Sequence, residues 1–421
     1  MSRVAVFGLG YVGSVTAAAL ARDGHRVVGV DVSADKIGAL RSGRTPVLEP
    51  GIEALVSAAV ADGRLRASDD PAEALKGARV SLICVGTPSR PDGSLDLSFV
   101  RQVAAQIGSK LSLAAPDHRV VVRSTVLPGS TREVVIPEVE RASGRPVGDG
   151  WDACANPEFL REGSSLADYD RPSRILVGER EPGGGAPVLE LYRGIEAPRF
   201  SVPLEIAEAV KYTDNAFHAL KVTFANEVAR VWQGRGADPA RVMEIVASDT
   251  KQNLSPLYLR PGFAFGGSCL PKDLRALLAA ARGDAAPVPM LDAVLASNEI
   301  EVRRAVEAVL ATGRRRVALL GLAFKRGTDD LRESPFLELA KRLIGEGLEL
   351  AIHDPAVSLG RLTGSNRAFL EERLPHIGRL LRASADEAVA GADLVVVGHR
   401  DPAFDRAEEW RAAGKAVLYL A

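Results

Sequence analysis

The sequence predicts an α/β protein in which two regions of alternating strands and helices are separated by a long helix. Three observations point to this fold class. Short β-branched runs alternate with helical stretches through the first 200 residues, a glycine-rich turn follows the first run, and the alternation returns near residue 315. This pattern is typical of a parallel sheet covered by helices. The 421-residue chain also exceeds the roughly 250–300 residues at which a single core stops growing.

We predict three domains, at residues 1–200, 201–300 and 301–421. The strands predicted for the first domain are 3–8, 26–31, 80–86, 118–125, 151–156 and 174–178. The strands predicted for the last domain lie in "RRVALLGLAF", "LELAIHDP" and "ADLVVVGH". Each of these runs is short, apolar and rich in β-branched residues, as buried parallel strands are.

The central domain is predicted to be helical. Residues 203–233 form one long amphipathic pattern, and a second helical stretch covers 287–312. The apolar positions of the first pattern recur at steps of three, four and seven: Ile206, Val210, Phe217, Leu220, Phe224, Val228 and Val231. Because this helix is longer than most in globular proteins, we expect it to pass between domains or to form a subunit interface.

Composition limits the classes of partner. Lys and Arg number 53 against 54 Asp and Glu, and this balance gives no indication of a nucleic-acid surface. Three cysteines, an odd number, favour a reducing cytoplasm over a disulfide framework. No apolar run approaches the roughly 20 residues that span a bilayer, and no signal peptide is evident. We therefore expect a cytoplasmic protein without nucleic-acid or membrane partners, and the six scattered histidines predict no metal site.

The stretch "VAVFGLGYVGSVTAAALARDGHRVVGVD" predicts a Rossmann-like dinucleotide site. Gly8, Gly10 and Gly13 follow the first strand and open a helix, where glycines allow a tight turn and a close approach to a pyrophosphate. Asp31 ends the second strand, where a carboxylate can accept from a ribose 2′-OH and repel a 2′-phosphate, which favours NAD over NADP. The alternative is a turn that only lets the helix pack on the strand. Thr87 and Thr125, after two later strands, are expected to face the same crevice, although such threonines are also ordinary turn residues.

Cys269 is the candidate nucleophile. It precedes a helix predicted to start at Pro271, with Lys272 close by, and both features favour a thiolate. Gly266 and Gly267 leave room for a substrate to approach the backbone, and Asp273 lies in the first turn of the helix. The alternative is a buried inert thiol, the interpretation given to Cys84 and Cys154.

Two further segments supply charged side chains. In "NPEFLREG", Asn156 can cap and Pro157 can begin a short helix that carries Glu158 and Glu162 on one face; the alternative is a pair of solvated helix acids. On the long helix, Lys211 and Asn215 are four residues apart. Lys211 can stabilise an oxyanion or extend to water, and spacing alone does not decide between these roles.

Taken together, these motifs resemble those of the UDP-glucose/GDP-mannose dehydrogenase family, over essentially the whole chain. The matching blocks, in order, are "GLGYVG", "PVLEPG", "VGTPS", "ST" at 124–125, "NPEFLREG", "KYTDNAFHALKVTFANE", "FGGSCLPKD" and "GLAFKRGTDDLRESP". Within the family, the text around Cys269 is most similar to that of GDP-mannose 6-dehydrogenases. Asn253, in "QNLS", stands where UDP-glucose enzymes usually carry an arginine.

The resemblance implies a four-electron, NAD-dependent oxidation of a nucleotide sugar at C6, most readily GDP-mannose to GDP-mannuronate, a precursor of polysaccharides such as alginate. The alcohol would lose a hydride to NAD⁺, the aldehyde would add to the Cys269 thiolate, and a second hydride transfer would leave a thioester that water hydrolyses. The family also implies an NAD domain at 1–200, central dimerisation through 201–300, a nucleotide-sugar domain at 301–421, and a homodimer or larger homo-oligomer with shared active sites.

The resemblance also implies site residues. The catalytic set is Cys269, Lys211, Asn215, Asp273, Glu158 and Thr125. The cofactor-binding set is Gly8, Gly10, Tyr11, Val12, Gly13, Asp31, Lys36, Thr87, Thr125, Glu162, Lys272 and Arg332. The substrate-binding set is Glu158, Phe159, Leu160, Lys211, Asn215, His218, Asn253, Tyr258, Leu259, Arg260, Phe265, Gly266, Cys269, Phe324 and Lys325.

Three alternatives remain open at this point. The same chemistry can act on UDP-glucose or on a UDP-N-acetylhexosamine. A catalytically silent nucleotide-binding regulator would have no need for Cys269, Lys211 and Asn215 together. A hydroxyacid dehydrogenase of the 6-phosphogluconate type uses a lysine without a thiol, and would leave Cys269 and the last α/β region unexplained.

Overall fold

The computed structural model describes the chain apart from residues 48, 93, 162, 256–261, 268–269, 284, 325–330, 332, 358–376, 400 and 421. Within its helices, it does not describe the side chains of residues 219, 222, 230, 272, 273, 276, 277, 280 and 283. The chain folds into two compact units, Met1–His218 and Ala219–Ala421. No helix in the described part of the chain is long and apolar enough to cross a membrane.

An eight-stranded sheet forms the centre of the first unit. Its strands are β1 (Arg3–Phe7), β2 (Arg26–Val30), β3 (Leu65–Ser68), β4 (Val80–Ile83), β5 (His118–Val122), β6 (Trp151–Ala155), β7 (Ile175–Glu179) and β8 (Arg199–Pro203). Their order is β3-β2-β1-β4-β5-β6-β7-β8. Chain order reverses between β1 and β4, and ligands of open α/β sheets bind outside the carboxyl ends of the strands at such a point.

The described part of the chain forms helices between its strands. They are α1 (Tyr11–Arg22), α2 (Ala34–Arg41), α3 (Ile52–Ala61), α4 (Pro71–Leu75), α5 (Ser98–Ser109), α6 (Ile136–Ser143), α7 (Ser165–Asp170), α8 (Ala186–Leu189), α9 (Leu204–Gln233), α10 (Pro239–Ser248), α11 (Leu270–Gly283), α12 (Pro289–Ala311), α13 (Pro335–Gly345), α14 (Ile377–Leu380), α15 (Ala385–Ala390) and α16 (Ala407–Ala412). A π-helical turn, Thr131–Val135, leads directly into α6.

The first sheet separates two hydrophobic cores because alternate residues of a strand point to opposite faces. In β1, Val4 and Val6 pack in the core beneath α1 and α3. Ala5 and Phe7 pack in the other core, with residues of α5 and α6. Since both faces are covered, β1 is apolar at four successive positions, as the sequence pattern indicated.

The prediction of a parallel sheet was wrong at one pair of strands. β6 and β7 run antiparallel, whereas the other neighbours in this sheet are parallel. Parallel neighbours need a crossover connection, usually a full helix. The connection here has irregular backbone at 156–161 and then only the short α7.

The predicted helix in "NPEFLREG" was also wrong, because residues 156–161 form no helix. The Asn156 side chain does not cap a helix. Its amide instead donates to Leu176 O at 2.8 Å, and its Oδ1 accepts from Arg123 at 2.8 Å. The contacts with Leu176 and Arg123 therefore fix Asn156, and the residues after it form an irregular loop with Glu158 near its middle.

The second unit contains a four-stranded parallel sheet. Its strands are β9 (Arg316–Leu320), β10 (Glu349–His353), β11 (Leu394–Val397) and β12 (Ala416–Tyr419). The order is β10-β9-β11-β12, with the reversal between β9 and β11. As in the first sheet, alternate residues of β9 enter different cores, Val317 and Leu319 in one and Ala318 and Leu320 in the other.

Candidate active site

The turn after β1 is built on two glycines. Gly8 has φ +95°, a conformation that L side chains rarely adopt. A Cβ on Gly13 would lie 1.8 Å from Gly8 O, so only glycine lets α1 pack this closely on the turn. The same atom would come within 3.3 Å of the Cys84 side chain, and burial raises the pKa of the Cys84 thiol to about 12. Cys84 is therefore a packing residue, as predicted.

Gly10 has the opposite surroundings. It is the N-cap of α1 and offers no side-chain cap, and a Cβ there would meet nothing within 4 Å. The N–H groups of Tyr11, Val12 and Gly13 begin the helix and so have no acceptor inside it. An open space in front of unsatisfied N–H groups at a helix N-terminus fits a pyrophosphate, so these residues can hold a dinucleotide.

Asp31, directly after β2, is held as an anion. Its carboxylate accepts from Leu9 N at 2.7 Å, from Ser33 N at 2.9 Å and from Lys36 Nζ at 3.1 Å. Burial disfavours the charged form, but these donors outweigh it and lower the pKa of Asp31 below its ordinary value. The predicted ribose acceptor is thus ionised, and Lys36, also predicted to contact the cofactor, lies beside it.

Thr87 and Thr125 come together at the carboxyl ends of β4 and β5. Thr87 Oγ1 donates to Thr125 O at 2.9 Å. Ser124 Oγ donates to Val85 O at 2.6 Å, which ties the same two loops a second time. β4 borders the strand-order reversal and β5 is its neighbour, and ligands of open α/β sheets collect at this end of the strands; that both threonines face the crevice of the glycine turn stays a prediction.

A cavity of about 530 Å³ opens beside the segment that follows β6. Its lining includes the buried Arg123 and six residues of the predicted substrate set, which are Lys211 and five others. Those five are Glu158, Phe159, Leu160, Asn215 and His218. Arg123 is 5% exposed, and it donates to Asn156 Oδ1 at 2.8 Å and to Tyr192 Oη at 3.1 Å. It therefore fixes the start of the segment that carries Glu158.

Lys211 and Glu158 form an ion pair in this cavity. Lys211 Nζ lies 3.2 Å from Glu158 Oε1, with the two side chains 12% and 11% exposed. The other carboxylate oxygen of Glu158 accepts from Leu160 N at 2.7 Å. Lys211 Nζ also lies 5.6 Å from the centre of the Phe159 ring. The structure thus supplies a largely buried cation and a carboxylate side by side, with Asn215 one helical turn further along α9.

A second ion pair in the cavity escaped sequence analysis. Arg174 pairs with Asp214, and its guanidinium lies over the Phe159 ring at 4.1 Å. Asp214 immediately precedes the predicted Asn215, so its position on α9 was a signal. Its partner is 40 residues away, however, and spacing along the chain gives no indication of that contact.

The sequence analysis assigned no role to Glu49, which lies in the "PVLEPG" block. Its carboxylate pairs with the Tyr11 hydroxyl and accepts from Gly163 N at 2.9 Å and Ser165 N at 2.8 Å. Burial opposes ionisation of Glu49, yet these donors lower its pKa; burial and the Glu49 carboxylate together raise the pKa of Tyr11. Glu49 therefore joins the start of α1 to the end of the "NPEFLREG" segment.

In the second unit, the "FGG" backbone is fixed by its own neighbours. Phe265 N donates to Asn298 Oδ1 at 2.8 Å, and Asn298 donates back to Phe265 O at 2.9 Å. A Cβ on Gly266 would lie 2.3 Å from Glu333 O, and one on Gly267, with φ +92°, would lie 2.9 Å from the Phe324 ring. The glycines are thus required by packing within the chain, whereas the sequence suggested room for substrate.

Asn253 donates through its side chain to Val246 O at 3.1 Å, at the end of α10. Several predicted residues lie outside the described part of the chain: Glu162, Tyr258, Leu259, Arg260, Cys269, Lys325 and Arg332. The backbones of Lys272 and Asp273 lie in the first turn of α11, which begins at Leu270. Their side chains are not described, and the roles of all these residues stay predictions.

Three family models match the chain. The NAD binding domain of the UDP-glucose/GDP-mannose dehydrogenase family matches residues 2–196. Its central domain matches 205–300, and its UDP binding domain matches 318–418. The chain belongs to this family. It is an NAD-dependent nucleotide-sugar dehydrogenase, and the glycine turn and Asp31 lie in the segment that matches the NAD binding domain.

Individual relatives can be aligned with this chain over almost its whole length. The GDP-mannose 6-dehydrogenase of Pseudomonas putida is 47% identical over 418 residues, covering 99% of this chain and 95% of that protein. A crystal structure of a ternary complex of GDP-mannose dehydrogenase from Pseudomonas aeruginosa is 45% identical with a TM-score of 0.96, covering 99% and 96% of the two chains. The UDP-glucose 6-dehydrogenase of Haloferax volcanii is 36% identical, covering 94% and 90%.

Proposed function

We propose that this dehydrogenase oxidises GDP-mannose at C6 to GDP-mannuronate. The observation that carries the proposal is similarity over the full chain. Identity reaches 47% with the GDP-mannose 6-dehydrogenase of P. putida and 36% with the UDP-glucose 6-dehydrogenase of H. volcanii. The net reaction consumes one water and two NAD⁺ and releases two NADH and three protons, so that the C6 alcohol becomes a carboxylate.

The NAD site is built from the glycine turn, the first N–H groups of α1 and the Asp31 carboxylate. A dinucleotide held by these residues would supply the hydride acceptor for C6. The loops that carry Thr87 and Thr125, which contact each other, are assigned to the same crevice. Asp31 is already ionised, so its negative charge favours a free 2′-OH over a 2′-phosphate on the ribose.

The first oxidation needs a group that stabilises negative charge on the C6 oxygen as its proton leaves. Lys211 supports this role because it is a buried cation in the cavity, with its ammonium 3.2 Å from Glu158. Asn215, one helical turn away, can donate to the same oxygen. Glu158 and Thr125 are assigned to orienting a water or a hydroxyl, and Asp273 is the second candidate for proton transfer.

The second oxidation is assigned to Cys269. Its thiolate adds to the aldehyde carbon and forms a thiohemiacetal, and loss of hydride from that carbon gives a thioester. Water then attacks the thioester carbonyl, the carbon–sulfur bond breaks, and the thiolate is regenerated with the carboxylate product. The sequence supports the assignment, because Cys269 immediately precedes Leu270, the first residue of α11, and a helix N-terminus stabilises a thiolate.

Substrate recognition is assigned to the substrate-binding residues that the family resemblance implies. Phe159, Leu160 and His218 line the cavity of the first unit. From the second unit the family resemblance supplies Asn253, Tyr258, Leu259, Arg260, Phe265, Gly266, Phe324 and Lys325. Arg260 and Lys325 suit a diphosphate because cations make charge-assisted hydrogen bonds to its oxygens. Glu162, Lys272 and Arg332 are assigned to the neighbourhood of the cofactor.

We further propose that the protein works as a homodimer or larger homo-oligomer. Support comes from large apolar side chains that are exposed to solvent in the second unit. Leu220 and Phe224 of α9 are 49% and 39% exposed, and Ile245 of α10 is 59% exposed. α10 contains no buried residue, so its apolar face has room for a second copy of the chain. Size-exclusion chromatography with light scattering tests this, and a monomer at micromolar concentration would contradict it.

We keep three functional domains, at 1–200, 201–300 and 301–421, for NAD binding, subunit association and nucleotide-sugar binding. The matches at 2–196, 205–300 and 318–418 support this division. We assign the reaction to the cytoplasm. Cys84 and Cys154 are free thiols, which suits a reducing compartment.

The deciding experiment measures NADH formed per sugar nucleotide consumed. GDP-mannose, UDP-glucose and a UDP-N-acetylhexosamine are compared, with the native chain, with Cys269→Ser and with Cys84→Ser as a matched control. We expect two NADH per GDP-mannose for the native chain and for Cys84→Ser. Cys269→Ser is expected to fail to complete the second oxidation.

Other outcomes would contradict specific parts of the proposal. Two NADH per UDP-glucose without turnover of GDP-mannose would keep the chemistry and overturn the substrate. Full activity of Cys269→Ser would contradict the proposed thioester intermediate. No NADH from any of the three sugar nucleotides would overturn the enzymatic function itself.

A further inference from the structure

Glu208 is a buried carboxylate to which the sequence assigned no role. It lies on α9 and is 3% exposed. One carboxylate oxygen accepts from Gly129 N at 2.7 Å. The other accepts from Thr131 N at 2.8 Å and from the Thr131 hydroxyl at 2.6 Å. Glu208 therefore binds three donors of one loop, the loop that leads from β5 into the π-helical turn and α6.

These three hydrogen bonds join two elements of the active site. Thr125 lies in this loop, four residues before Gly129. Lys211 follows Glu208 by three residues on α9, so the two side chains leave the same face of the helix. Thr125, Glu208 and Lys211 also line one small gap, together with Ala155 and Pro157 at the end of β6.

The chemistry of the contact calls for a carboxylate. N–H groups at the start of a helix carry partial positive charge and bind an anion well. A glutamine in this place would have to turn an NH₂ group toward one of the N–H donors, and an alanine would leave three buried donors without an acceptor. Burial does raise the pKa of Glu208, so the hydrogen bonds act against a cost of desolvation.

We infer that Glu208 is a positioning residue for the oxidation, because it fixes the Thr125 loop against the turn of α9 that carries Lys211. It acts through these two residues, because both of its carboxylate oxygens are taken up by Gly129 and Thr131. The inference rests on the proposed function, since the consequence is a loss of turnover. A misplacement of about 1 Å in such an arrangement can cost on the order of 10²-fold in rate.

The test compares Glu208→Gln with Glu205→Gln, a matched control. Glu205 lies on the same helix and also contacts the same turn, through Arg132 at 2.6 Å, but that pair is exposed. Thr131→Val, which removes only the hydroxyl donor, serves as a milder variant should Glu208→Gln fold poorly. For each variant we would measure kcat, KM, the dissociation constant of NAD⁺ and the melting temperature, with GDP-mannose and UDP-glucose as substrates.

We expect kcat of Glu208→Gln to fall by about 10-fold or more, with NAD⁺ affinity and KM within a factor of about two of the native values. Glu205→Gln should match the native chain. In the Thr125→Ala background, Glu208→Gln should lower kcat further by much less than it does alone, because the two residues act as a unit. Additive losses would contradict the inference.

A lower melting temperature with unchanged kcat would also overturn it and leave Glu208 a structural residue. Oxidation of UDP-glucose alone would overturn the substrate assignment, yet it would still supply the kcat on which Glu208 is judged. Turnover of neither sugar would overturn both proposals.

Discussion

Lys211 Nζ lies 3.2 Å from Glu158 Oε1, and this contact joins α9 to the loop after β6. Both side chains are close to nine-tenths buried, at 12% and 11% exposed. A buried charge without its partner is strongly destabilising, whereas removal of both charges can be nearly neutral. The pair therefore serves stability and the proposed chemistry together, and the two roles can be separated by mutation.

Lys211→Met is expected to lower kcat by about 10²–10³-fold, the usual cost of removing one donor that stabilises an oxyanion. It should also lower the melting temperature, because Glu158 is left unpaired. The double variant Lys211→Met/Glu158→Gln should recover part of the stability and none of the activity. Lys221→Met, an exposed lysine on the same helix, is the control. Recovery of kcat in the double variant would contradict the role given to Lys211.

Asp31→Asn tests the choice between NAD and NADP. The substitution keeps the size of the side chain and removes a charge that pairs with Lys36 Nζ at 3.1 Å. We expect the NAD⁺ dissociation constant to rise by about 10-fold, since a charged hydrogen bond contributes roughly 1.5–3 kcal/mol. The NADP⁺ dissociation constant should fall, because Lys36 becomes free to meet a 2′-phosphate. In Asp31→Asn/Lys36→Met the gain for NADP⁺ should vanish; if it persists, Lys36 is not its source.

Gly10→Ala and Gly13→Ala should fail in different ways. At Gly10 a Cβ meets nothing within 4 Å, so the variant should fold normally and bind NAD⁺ more weakly, because the methyl group occupies the space in front of α1. At Gly13 the Cβ would lie 1.8 Å from Gly8 O. The free energy of unfolding of Gly13→Ala should therefore be lower than that of the native chain by at least about 1–3 kcal/mol. Gly38→Ala, inside α2, is the control, and its free energy of unfolding is expected to rise by up to about 1 kcal/mol. Urea unfolding and NAD⁺ titration separate the two effects, and equal stability of the Gly10 and Gly13 variants would contradict the predicted clash.

His118 should make stability depend on pH. Its Nδ1 donates to Ala78 O at 2.8 Å and its Nε2 lies 3.0 Å from Ser81 Oγ. Burial is the main cause that lowers the pKa of His118 from 6.5 to about 4. Between these values the unfolded chain binds a proton that the folded chain does not, so the free energy of unfolding falls as the pH falls.

The contribution of His118 should amount to about 2 kcal/mol between roughly pH 7.5 and pH 5. His118→Gln is expected to flatten the pH dependence of urea unfolding by that amount. His218→Gln, at an exposed histidine, should leave it unchanged. An identical slope for the native chain and His118→Gln would show that another group is responsible.

Apolar runs predicted six strands of the first sheet and three of the second. β3, β8 and β12 were not predicted; β12 reads "AVLY" and does carry an apolar run, whereas β3 and β8 do not. β8 reads "RFSVP" and is mostly exposed, and β3 reads "LRAS", so neither carries the apolar signal of a buried strand. These strands exist because a neighbour pairs with their backbone, which a pattern of side chains does not report.

The site was predictable where chemistry follows local spacing. The glycines of the first turn and the Lys211–Asn215 face of α9 were found in this way. The contacts made by Glu208 and Arg174 span 77–79 and 40 residues, so they depend on how strands and helices pack. The wrong helix in "NPEFLREG" has the same origin, because Arg123, from another strand end, takes the Asn156 oxygen that was expected to cap it.

The carboxylate at Glu208 also decides where this chain can be divided. A fragment that ended at Pro203 would keep the eight strands and the whole glycine turn, but it would leave Gly129 N and Thr131 N without their acceptor. A fragment that ended at His218 would retain the acceptor and Lys211 as well. Attempts to isolate the cofactor-binding half for titration or spectroscopy should therefore carry the first four turns of α9 with it.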